Sequence, residues 1–153
     1  MGRKTATHQN RFQDGLEILD QIRVRRILFQ STIHRMTPEE ATPEKVMQGI
    51  ETQLAHVWMV RTFIKHSEEA AEDDELVDVH RALYDFMLSL GGPAQSNDAE
   101  GYLKQARKKF SKLRRAKELF VEIQPEIAGH TNFQMAAKSL SAAVDKIGQI
   151  LRS

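Results

Sequence analysis

HVWMVRTFIKH, residues 56–66, is the stretch on which the fold of this chain turns. Val57, Trp58, Met59, Val60, Phe63 and Ile64 crowd into it, Arg61 stands in their midst, and His56 and His66 close its ends. At about 100° per residue on a helical wheel, Arg61 falls beside Ile50, Leu54, Val57 and Ile64, along the centre of the main apolar stripe. Met59 and Phe63 fall on the opposite side with Ala55. A helix that is apolar nearly all round is enclosed by several neighbours or by a second subunit. The stretch therefore predicts either the centre of a helical bundle or an interface, with Trp58, Met59 and Phe63 as the candidate contact residues.

Working outward, apolar residues recur at spacings of three and four, and no segment alternates as a half-buried strand does. Breaks fall at TPEEATPE (37–44), GGP (91–93) and, more weakly, QPEIAGHTN (124–132). They leave five expected helices. The first spans residues 9–35 on a stripe of Phe12, Leu16, Leu19, Ile22, Phe29 and Ile33. The second opens on Thr42 as N-cap with Pro43 behind it and runs to residue 71. The third is expected over 75–90, stopping at Gly91-Gly92-Pro93; the fourth starts behind Ser96, Asn97 or Asp98 and ends near 124; the fifth covers 131–151. Short connections favour antiparallel neighbours, so the fold class is all-α, an up-and-down antiparallel bundle of four to five helices. Residues 1–7 read as a flexible tail and 8–153 as a single domain.

A chain of 153 residues hides roughly 68–70% of its unfolded surface and needs no covalent staple. Lys and Arg number 22 against 21 Asp and Glu, so the net charge of +1 creates no overall field for nucleic acid or a membrane. The chain has no cysteine, which excludes disulfides, a thiolate nucleophile and cysteine-based metal sites. No window approaches the roughly 18 apolar residues of a membrane span, and the basic N-terminus has no apolar run behind it. The expected location is cytoplasmic, with no membrane partner.

Three constellations carry possible chemistry. Arg26 lies in the middle of the first stripe, Arg61 in the second, and His80 between Leu76, Leu83 and Met87 in the third. If they converge, they form a site for an anionic ligand group. The alternative is that each arginine buries its stem and pairs with a carboxylate such as Glu51 or Asp85, while His80 completes a hydrogen bond. The run KQARKKFSKLRRAK, residues 104–117, contains Lys104, Arg107, Lys108, Lys109, Lys112, Arg114 and Arg115, candidates for contact with nucleic-acid phosphates. Its cations spread round the wheel, and EEAAEDDELVD (68–78) is available to balance them, which favours a solvated face.

Arg61-Thr-Phe-Ile-Lys-His66 resembles the R-x4-H spacing of HEPN ribonuclease domains, themselves small helical bundles. The resemblance covers those six residues and the fold class, and implies metal-free RNA cleavage by Arg61 and His66. On a continuous helix, however, five residues turn two side chains about 140° apart, so a shared site requires a bend or a second chain. Glu-x-x-His pairs of the di-iron type are absent and His66-x-x-Glu69 is a single reversed copy, so neither metal nor cofactor is expected. No HExxH, P-loop, GxGxxG or GxSxG pattern occurs. The function these features predict is non-enzymatic: protein–protein interaction through self-association, as a homodimer, or as a subunit of a larger assembly. A HEPN-like ribonuclease or an RNA-binding bundle is the alternative.

Overall fold

The computed structural model describes residues 41–153; the expected tail, the boundary at residue 8, the expected first helix and with it Arg26 lie outside the described residues. Helix α1 spans Pro43–Lys65, α2 Asp74–Gln95, α3 Ala99–Ile127 and α4 Thr131–Ile150, with one 3-10 turn at Glu69–Ala71. Among the described residues there is no strand. Residues Thr42–Ser153 form a compact unit.

Local chemistry sets the ends of these helices. The Thr42 hydroxyl accepts from the Lys45 amide at 3.4 Å, with Pro43 in the first turn where its missing N–H costs nothing. Helix α1 stops at Lys65, short of the expected 71, because Ser67 competes for the backbone. Its hydroxyl donates to the Ile64 carbonyl at 2.8 Å and accepts from the Ala70 amide at 3.3 Å, which turns the chain into the 3-10 segment. Asp73 then restarts the helix by accepting from the Leu76 amide at 2.8 Å.

Two expected stops are overrun. Helix α2 continues through Gly91-Gly92-Pro93 to Gln95, because Leu90 is buried and Ala94 packs on the core one turn later. A proline near a helix end loses one hydrogen bond, and apolar burial at 25 cal/mol per Å2 offsets it. The turn follows at Asn97, with φ 52°, after which the Asp98 carboxylate accepts from the Gly101 amide at 2.9 Å and starts α3. Helix α3 likewise passes Pro125 to Ile127. There the buried Gln124 amide donates to the Ala128 carbonyl at 2.9 Å and satisfies the backbone just beyond the helix.

Each helix packs on the next, α4 closes back against α1, and α1 touches α3 across the middle. This is an up-and-down four-helix bundle. Ile50, Val57 and Ile64 from α1 meet Leu83, Leu113 and Leu140 in a core from which water is excluded. Toward one end Phe63 meets Phe133 edge to face at 4.9 Å between centroids, and Phe120 lies 6.5 Å from Phe133. Helices α3 and α4 approach closely at Gly148, where an added Cβ would stand 2.7 Å from the Phe110 ring. No described helix is long and apolar enough to cross a membrane.

Candidate functional site

Arg61 leaves the buried stripe of α1 on the flank that faces α2. Its guanidinium carbon lies 4.8 Å from the centroid of Tyr84 on α2 and 5.4 Å from that of Trp58, one turn earlier on α1. The cation is thus held by two rings, one from each helix. Such contacts stabilise by about 0.5 kcal/mol when exposed and about 2 when desolvated. Among the described residues the ion pairs are Arg114 with Glu118 at 3.7 Å and Lys117 with Asp145 at 3.3 Å. The pairing of Arg61 with Glu51 or Asp85 is not made: among the described residues, aromatic faces rather than a carboxylate meet this half-buried arginine.

Arg61 Nε, Thr62 Oγ1 and His80 Nδ1 are all buried without a hydrogen-bond partner among the described residues. Burial holds the His80 imidazole below its usual pKa, the positive charges of Arg61, Arg81 and Lys65 push the same way, and its own backbone opposes them. His80 is therefore neutral at pH 7. What the arrangement offers is a guanidinium flanked by two partly exposed aromatic rings at the seam of α1 and α2.

The structure places Arg61 within electrostatic range of His80, as a cause of the lowered pKa secondary to burial. It does not bring Arg61 to His66. Helix α1 runs unbroken between them, so the side chains diverge: His66 caps the helix and lines an open groove with Glu69, His130 and Phe133, whereas Arg61 faces Tyr84. Among the described residues no group of three His, Asp or Glu side chains is arranged to hold a metal.

The apolar circumference of α1 divides in two. Phe63 is covered by Phe133 of α4. Trp58 and Met59 stay 47% and 67% exposed, and on α2 Tyr84 and Leu88 are also exposed, one turn apart on a common flank. Tyr84 was not among the residues picked out from the sequence. Its signal was present, four positions after His80 and so on the same side of the helix.

The basic run occupies the outward side of α3. Lys104, Arg107, Lys108, Lys112, Arg114 and Arg115 are exposed and Lys109 is half-buried. Some are engaged locally: Arg107 Nε donates to the Leu151 carbonyl at 3.4 Å, Arg114 pairs with Glu118, and Lys112 and Arg115 flank Asp78 in a shallow groove against α2. No protein-family model, no curated protein and no solved structure matches the chain.

Proposed function

We propose that this protein acts in the cytoplasm by binding protein chains, itself or another subunit, through the face where α1 meets α2. The observation that carries this reading is the exposed Trp58 and Tyr84 with Arg61 between them. Trp, Tyr and Arg are the residue types that dominate binding energy at protein interfaces, and here they cluster with exposed Met59 and Leu88. Large apolar side chains on one flank of a small bundle are what an interaction surface requires. No catalytic group is assigned.

Light scattering after size exclusion, on the full chain at low and high salt, tests the reading. The expected result is an assembly that resists salt and is weakened in Trp58→Ser. A wild-type monomer that also fails to recruit any protein removes it. A monomer whose elution shifts with added RNA only at low salt transfers the function to the basic face of α3.

A further inference from the structure

We infer that the face where α1 meets α2 binds a second copy of this chain, with the two α1 helices antiparallel about a two-fold axis at the level of Trp58. The inference deepens the protein-binding reading, rests on it, and commits it to one partner. Its first support is the placement of charge along α1. Glu51 and Lys65 each stand seven residues from Trp58 (58 − 51 and 65 − 58), and all three are exposed. Seven residues come within about 20° of two full helical turns and rise about 10 Å, so the three side chains share one stripe with opposite charges at its two ends. Neither Glu51 nor Lys65 forms an ion pair among the described residues.

An isologous contact pairs residue i of one copy with j of the other and j with i, so its surface must be complementary to itself. Reversing α1 about Trp58 meets that condition: Glu51 of each copy comes opposite Lys65 of the other. A parallel arrangement instead sets glutamate against glutamate and lysine against lysine. Between these charges the exposed side chains on that side of α1 are Thr52, Ala55, Trp58 and Met59, none of them charged. His56, two residues before Trp58, falls on the far flank. Across the seam α2 adds exposed Tyr84 and Leu88, bordered by exposed Arg81 and Asp85, which are one turn apart and opposite in sign. The acids that open α2, Asp74, Glu75 and Asp78, are set toward the C-terminal end of the other copy's α2. That end carries no charge from Phe86 to Gln95, so they meet no like charge there. An apolar centre inside a charged rim is the anatomy of a protein interface. Helices of 23 and 22 residues side by side, about 10 Å wide each, present a face of about 700 Å2 per copy, close to the roughly 800 Å2 that each partner of a stable complex contributes.

Sedimentation of the full chain, as wild type and as charge variants alone and mixed, tests the arrangement. The expected result is a wild-type dimer whose dissociation constant rises about tenfold or more in Glu51→Lys and in Lys65→Glu, because each reversal turns two attractive contacts into two repulsive ones. An equimolar mixture of the two variants regains dimerisation, as does the double variant Glu51→Lys/Lys65→Glu, since both restore opposite charges across the axis. Both positions are exposed, and far-UV circular dichroism checks that each variant folds. A wild-type monomer overturns the inference, as do single reversals that leave the dimer unchanged or a mixture that fails to restore it. If Trp58→Ser dissociates a dimer that the reversals spare, this arrangement fails and the protein-binding reading stands. If the wild type is a monomer that recruits no other protein, both fall.

Discussion

The guanidinium carbon of Arg61 sits 4.8 Å from the centre of the Tyr84 ring, so a cation of α1 is held by α2 through an aromatic face. That contact spans the seam where two helices meet at the solvent edge. A double-mutant cycle with Arg61→Met and Tyr84→Leu, measured by urea unfolding of the full chain, should give a coupling of about 0.5–1 kcal/mol. Because no carboxylate is involved, the coupling should hardly change between low and high salt. Zero coupling would mean that ring and cation are merely neighbours.

His80 gives the fold a pH dependence of definite sign. Burial first, and then the charges of Arg61, Arg81 and Lys65, hold its folded pKa below 6.5. The unfolded chain takes up a proton first as pH falls through 6.5, so stability is retained above that pH and declines beneath it. Thermal melts of wild type and His80→Gln between pH 7.5 and 5 should therefore show wild type losing more melting temperature on acidification. A smaller loss in wild type than in His80→Gln would reverse the assigned direction.

Much of this fold was legible before the structure. Thr42-Pro43 marked the start of α1 and Ser96, Asn97 or Asp98 that of α3, because capping is a local exchange of hydrogen bonds that short motifs encode. The early stop after Lys65 and the runs through Pro93 and Pro125 were not legible. They are set by competition: Ser67 against the backbone in one case, and apolar burial of Leu90 and Ala94 against a missing amide in another. The site was half legible. The wheel found Arg61 and His80 as facing the interior, but that an aromatic ring from α2 rather than a carboxylate meets Arg61 depends on the register of two helices, which neither helix encodes alone.

Tyr102 should tolerate loss of its hydroxyl. The ring is wholly buried and its oxygen has no hydrogen-bond partner among the described residues. Tyr102→Phe removes an unsatisfied polar atom and should raise stability, by up to about 1–3 kcal/mol. Burial, aided by the charge of Glu51, also lifts the phenol pKa above 10. The unfolded state ionises first above that pH, so wild type loses stability there and Tyr102→Phe should lose less. Urea midpoints at pH 7 and pH 10.5 measure both effects.

Gly148 should resist even a methyl group. An added Cβ would stand 2.7 Å and 3.2 Å from two atoms of the Phe110 ring at the α3–α4 seam. Alanine gains about 1 kcal/mol of helix propensity but overpacks the seam, which typically costs about 1–3 kcal/mol. Gly148→Ala should lower the melting temperature, and Phe110→Leu in the same chain should restore part of the loss. Equal melting for wild type and Gly148→Ala would show that the ring swings aside freely.

Closure of the ring by α4 on α1 bears on how the bundle assembles. Three of its four seams join helices adjacent in sequence, and these need only short loops to form. The last seam brings Phe63 to Phe133, a separation of 133 − 63 = 70 residues, and so closes the longest loop of the four. The α1–α4 contacts should thus form late in folding, and the groove holding His66 and His130 lies along this last seam.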